Sequence, residues 1–209
     1  MRALIVVDIQ RDFCPGGSLA VKDGDQIVPV INRLTKPGLF DLVIFTKDWH
    51  PFDMKAFASQ HEGKKPFDTY TNDNGEVDIL WPNHCVQDTE GAMFHKDIDL
   101  NIPNLYIFKK GTKVDSHPYS GFGDLAHGDS SGLLEFLKEN NITETFIIGL
   151  ATDYCCKDTA IDSARNGFDT SVIMSGMRAI AEDITPTLNI FMNENITILQ
   201  DESWINIET

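Results

Sequence analysis

Residues 145–156 read Thr145-Phe146-Ile147-Ile148-Gly149-Leu150-Ala151-Thr152-Asp153-Tyr154-Cys155-Cys156. The run from Thr145 to Leu150 is strand-length and apolar without polar alternation, the pattern of a strand covered on both faces. A turn of small and polar residues follows, and from Cys155 to Asn166 the spacing becomes helical. A buried strand leading straight into a helix is half of a βαβ unit. The same signature recurs outward in both directions, with strand-like runs at Ala3–Val7, Leu42–Thr46, Leu105–Phe108, Thr170–Met174 and, more briefly, Ile196–Leu199. Helical stripes lie between several of them. Asp25–Leu34 aligns Ile27, Val30, Ile31 and Leu34, Gly132–Asn140 aligns Leu133, Leu134 and Leu137, and Thr185–Glu194 opens with Pro186 in its first turn. This alternation predicts an α/β three-layer sandwich with a central six-stranded, mainly parallel sheet covered by helices.

The 209 residues match one domain spanning 1–209, and no repeat, low-complexity tract or linker divides them. The alternating rhythm breaks only at about residues 48–95, a stretch rich in Asp, Asn, Gly, Pro and His that predicts a long irregular loop region of the kind that carries function. A formal charge of −15 argues against nucleic acid or an anionic membrane surface as partner. The N-terminal apolar run carries Asp8 and is too short for a signal segment, and no run approaches membrane-span length. Four cysteines without the spacing of a disulfide scaffold fit a reducing cytoplasm. Composition leaves the oligomeric state open, a homo-oligomer included.

Polar residues stand at the carboxyl ends of the predicted strands, where ligands bind in open α/β sheets. Asp8 closes the first, Asp48 and His50 follow the second, Lys110 follows the third, and Cys155 follows the fourth at a helix start. At a helix N-terminus the free N–H groups favour a thiolate and offer an oxyanion hole. An acid such as Asp8 can take the thiol proton, and a lysine such as Lys110 can hold that carboxylate ionised. Each residue also has a plainer reading: a small buried hydrophobe for a cysteine, a turn cap for Asp8, a solvated strand exit for Lys109-Lys110-Gly111. Asp48 and His50, two apart on an extended segment, point to one side. With His84 they make an N/O donor set suited to zinc, iron or manganese.

Five segments, in order, resemble the motifs of nicotinamidases within the isochorismatase-like hydrolase superfamily. They are Val6-Val7-Asp8-Ile9-Gln10-Arg11-Asp12-Phe13, Thr46-Lys47-Asp48-Trp49-His50-Pro51, Trp81-Pro82-Asn83-His84-Cys85-Val86, Lys110-Gly111 and Gly149-Leu150-Ala151-Thr152-Asp153-Tyr154-Cys155. Asp162-Ser163-Ala164-Arg165-Asn166-Gly167-Phe168 resembles the helix exit that follows in that family. The resemblance implies hydrolysis of nicotinamide to nicotinate and ammonia through a cysteine thioester, in NAD salvage. The alternatives are a related cysteine amidohydrolase acting on a carbamoyl or ureido compound and a non-catalytic small-molecule binding protein. It further implies Asp8 as base, Lys110 as its cationic partner and Cys155 as nucleophile. Backbone N–H groups of Ala151 and Cys155 would form the oxyanion hole, beside a cis peptide between Leu150 and Ala151. Phe13, Trp81 and Tyr119 would line the substrate pocket. Asp48, His50 and His84 would hold one divalent metal facing the pyridine nitrogen, zinc first, with iron or manganese as alternatives.

One position departs from the pattern. Many relatives carry a further histidine four residues after the one matching His50, and here that residue is Met54, a poor ligand. Three protein ligands with solvent completing the shell are then expected, or a fourth ligand supplied by Asp53 or His61.

Overall fold

The computed structural model describes residues 1–72 and 75–205; Asp73 and Asn74, inside the expected loop region, and 206–209 lie outside the described residues. Six strands form the main sheet: β1 (Arg2–Val7), β2 (Leu42–Asp48), β3 (Leu105–Lys110), β4 (Glu144–Leu150), β5 (Asp169–Arg178) and β6 (Thr197–Leu199). All pair in parallel in the order β6-β5-β4-β1-β2-β3. Each apolar run named in the sequence became a strand. The strands β2 and β3 run further than the apolar pattern, because Lys47, Asp48, Lys109 and Lys110 keep the ladder although their side chains break the hydrophobic run, and β5 continues past a register shift to pair Met177 and Arg178 with Gly149 and Leu150. The extra residues of β2 and β3 carry part of the site.

Alternation along the central strand assigns its side chains to two layers. Leu4 and Val6 face one side with Val43, Phe45, Ile148 and Ile173, covered by Ile27, Ile31 and Leu34. Ala3, Ile5 and Val7 face the other with Ile44, Ile147 and Val172, covered by Leu133, Leu137, Ala160 and Phe191. Helix α1 (Val28–Leu34) therefore packs on one face, and α2 (Leu133–Glu139), α3 (Cys155–Arg165) and α4 (Thr185–Asn193) on the other. The expected first helix, Asp25–Leu34, is split: a tight 3₁₀ turn over Gly24–Ile27 precedes α1, with Pro29 in the first turn of the helix proper.

The region about 48–95 is mostly irregular, as expected, yet it holds a short antiparallel hairpin, Thr69–Thr71 against Val77–Ile79. Strands of three residues are too short to show a period in the sequence. A second small hairpin pairs Gly123–Asp124 with Asp129–Ser130. The chain runs outward from β1 to β2 and β3, then returns to lay β4 on the other side of β1. The point where strand order reverses therefore lies between β1 and β4, and a crevice opens there beyond the strand ends.

Candidate active site

The crevice between β1 and β4 is built by close backbone approach. Register sets Val7 opposite Gly149, and any Cβ on Gly149 (φ +124°) would overlap the Val7 carbonyl, so only glycine fits. Two residues on, the Leu150–Ala151 peptide is cis, as the family resemblance implied. The chain then turns through Thr152, Asp153 and Tyr154 into α3, whose first residue is Cys155. Being first, its N–H has no acceptor earlier in the helix. Asp153 fixes the turn by accepting hydrogen bonds from the Ile180 and Ala181 amides, both at 2.9 Å.

Across the crevice, Asp8 leaves β1 in the left-handed region at φ +47°, which aspartate tolerates better than most residues. Its Oδ1 accepts the Thr46 hydroxyl at 2.7 Å, and its Oδ2 lies 3.1 Å from the Lys110 ammonium. Lys110 reaches this point because β3 ends opposite β2, with Lys110 in register with Asp48. Its ammonium also pairs with Asp48 Oδ1, donates to the Pro118 carbonyl at 3.2 Å, and lies 3.6 Å from Cys155 Sγ. One carboxylate oxygen each from Asp8 and Asp48 and the Cys155 sulfur all fall within 4.8 Å of one another. The three residues nominated for chemistry are thus brought together, with Asp8 and Lys110 almost wholly buried and Cys155 7% exposed.

Burial sets the charge states. It pushes Asp8 up to about 6, against the pull of Lys110 and with a further push from Asp48. Asp48 is also buried, but Lys110 and His50 outweigh that and hold it well below the usual carboxylate range. For Lys110, burial opposes the charge while Asp48 and Asp8 hold it firmly protonated. The thiol of Cys155 departs from the expectation of a lowered pKa at a helix start. Burial pushes it well above its ordinary value, and the nearby ammonium only partly offsets this. Cys155 in this site is held toward its neutral thiol form.

Asp48 turns its other oxygen toward two imidazoles, with Oδ2 3.5 Å from His50 Nε2 and 4.0 Å from His84 Nε2. His84 arrives because the segment after β2 runs beside residues 85–87, joined by His50 N–H to the Cys85 carbonyl at 3.0 Å and Gln87 N–H to the His50 carbonyl at 2.9 Å. Asp12 secures that segment by accepting the Cys85 amide at 2.7 Å. Each ring meets a carbonyl through Nδ1: His50 at Gly111 (2.9 Å) and His84 at Pro82 (2.8 Å). A carbonyl only accepts, so Nδ1 carries the proton and each Nε2 presents a lone pair. His50 Nε2 is buried without a partner, and burial with the neighbouring His50 pushes His84 down to about 4, keeping it neutral. An imidazole kept neutral, as His84 is, beside an ionised carboxylate is what a divalent cation requires, so these residues fit one.

Met54 is fully buried against Ala56, Phe57 and Trp81. The two loop residues offered in its stead do not reach the site: Asp53 is exposed and His61 is spent on the Lys55 carbonyl at 2.7 Å. A third imidazole that sequence reasoning overlooked, His117, stands instead over the pair. Its ring centre is 5.1 Å from His50 and 6.0 Å from His84. Gln10 was overlooked as well. Fully buried, it accepts the Asp48 amide through Oε1 at 2.8 Å and donates Nε2–H to the carbonyls of Asp48 (2.8 Å) and Ala92 (3.0 Å).

Phe13, Trp81 and Tyr119 line a tight cleft of about 20 Å³ together with His84, Tyr154 and Cys155. The Tyr119 hydroxyl accepts from Trp81 Nε1 at 3.0 Å and donates to Asp78 at 3.1 Å, fixing both rings. A larger polar groove of about 590 Å³ opens beyond Tyr119 and His117. It lies outside the cluster of reactive groups, so the narrow cleft is the candidate site.

A parallel α/β sheet with an acid, a lysine and a cysteine gathered at its switch point defines a class of cysteine hydrolases, and the comparisons agree: the isochorismatase domain model matches residues 2–192, and the chain belongs to that family. Within it, the proteins similar to this chain include several nicotinamidases. That of Acinetobacter baylyi is 45% identical over 85% of this chain and 81% of its own length. The structure of the yeast nicotinamidase superposes with a TM-score of 0.91 at 32% identity, covering 96% of this chain and all of that one. A pyrazinamidase of Pyrococcus horikoshii, solved in complex with zinc, gives a TM-score of 0.76 at 35% identity over 95% of this chain and 98% of that one.

Proposed function

We propose that this protein is an amidohydrolase converting nicotinamide and water to nicotinate and ammonia, acting as one domain. The observation that carries the reading is the buried ammonium of Lys110 held between Asp8 and Asp48 with Cys155 Sγ 3.6 Å away. It joins a thiol, its base and a metal-binding carboxylate in one network.

Asp8, as the carboxylate, takes the proton of Cys155 Sγ, and Lys110 offsets the negative charge as it moves to sulfur. The thiolate attacks the carboxamide carbon, and the N–H groups of Ala151 and Cys155 receive the charge that develops on the amide oxygen. Asp8 then returns its proton to the departing nitrogen, the C–N bond breaks, and ammonia leaves a thioester on Cys155. Water, deprotonated by Asp8, attacks the thioester carbon, releasing nicotinate and restoring the thiol. The apolar walls of Phe13, Trp81 and Tyr119 suit a flat aromatic ring. Asp48, His50 and His84 would hold one divalent cation, which when bound would supply an electron-pair acceptor for a pyridine nitrogen. Zinc is the cation we assign, on the N/O donor set and the zinc-bound relative, with iron or manganese compatible with the same donors.

The place of this reaction is salvage of NAD breakdown products, in the cytoplasm. Four free, buried cysteines support a reducing compartment, and among the described residues no helix is long and apolar enough to cross a membrane. Ammonia release from nicotinamide and from a panel of carbamoyl and ureido compounds tests the reading. Nicotinamide turnover is expected, lost on chelation and lost in Cys155→Ala with metal content intact. Appreciable ammonia release by that variant, or turnover confined to the ureido compounds, overturns it.

A further inference from the structure

We propose that His117 is a fourth protein ligand of the metal centre, giving three imidazoles and one carboxylate where the family-like motifs supply only Asp48, His50 and His84. The inference rests on the metal-centre reading above and deepens it.

One nitrogen from each of His50, His84 and His117 lies within 4.8 Å of one from each of the others, a spacing at which all three can reach a shared ion. Two of these rings carry a buried nitrogen with nothing to bond, Nε2 of His50 and Nδ1 of His117. Leaving two imidazole nitrogens desolvated and unpaired is costly, and a cation bonded to both satisfies them at once.

The loop after β3 is built to hold His117 there. Lys110 donates to the carbonyl of Pro118, the residue next to His117, at 3.2 Å. Gly111, at φ +60°, accepts His50 Nδ1–H, and a Cβ there would strike the His50 ring, so the loop passes directly behind that ligand. On the far side, the ring of Tyr119 is 5.1 Å from that of His117. Met54 meanwhile is committed to an apolar cluster and leaves the position open. A ligand missing from the loop after β2 is thus replaced from the loop after β3.

The test uses the zinc-loaded protein. X-ray absorption counts imidazoles on the metal, and competition with a chromogenic chelator gives the zinc affinity, for wild type, His117→Ala, His117→Asn and His84→Ala. Circular dichroism melts of the metal-free forms check folding. Three imidazoles are expected in wild type and two in each His117 variant. Affinity should fall about a hundredfold or more, because even residues that merely orient ligands are worth ~10–100-fold. If wild type shows two imidazoles, or both His117 variants bind zinc like wild type while His84→Ala weakens it, His117 is not a ligand. If His84→Ala also binds like wild type, the metal-centre reading itself falls.

Discussion

Replacing Gln10 with methionine removes three hydrogen bonds without opening a large hole. The amide is fully buried, and its three partners, the Asp48 N–H, the Asp48 carbonyl and the Ala92 carbonyl, lie on two different segments. At about 0.5–1.5 kcal/mol net per bond, the loss is about 1.5–4.5 kcal/mol, and stranded buried groups put the outcome in the upper part of that range. Against a domain stability of ~5–15 kcal/mol this is a large fraction. The change also frees the backbone of Asp48, the carboxylate proposed to hold the metal, so on that proposal zinc affinity should fall by about tenfold or more. Urea denaturation of the metal-free protein measures the first effect and chelator competition the second. A stability loss below about 0.5 kcal/mol would refute the reasoning, since it would mean these three groups find other partners.

The acid limb of the rate profile should follow Asp8. As a base it must be ionised; burial lifts it to about 6, so kcat/KM should be level above that pH and fall about tenfold per unit below it. A profile flat down to pH 5 would assign the base elsewhere. Gly149→Ala should cost on the order of 4 kcal/mol or more, because a methyl group there both strains φ +124° and meets the Val7 backbone. A soluble variant within about 1 kcal/mol of wild type in the same urea experiment would show that β1 and β4 can move apart.

The sheet was legible because its strands are buried on both faces and spell continuous apolar runs, and the gathering of Asp8, Asp48, Lys110 and Cys155 followed from their shared position at strand ends. What stayed hidden depends on tertiary contact. His117 sits in Val114-Asp115-Ser116-His117-Pro118, a loop whose local spacing relates it to neither His50 nor His84. Gln10 is a polar residue whose burial no pattern announces. The charge state of Cys155 was misjudged for a related reason: a helix start favours a thiolate only where solvent or cations share the load, and here burial outweighs both.

The return of the chain to set β4 beside β1 has a consequence for biosynthesis. On the ribosome β1 can join β2 early, but its other edge has no partner until Glu144–Leu150 emerges. At ordinary elongation speeds that interval is on the order of ten seconds. Throughout it a strand buried along nearly its whole length in the finished fold offers an open row of amides and carbonyls to any neighbouring chain. Yield at high expression should therefore depend on how quickly the second half is translated and on chaperones that shield nascent strands, more than on the stability of the finished enzyme.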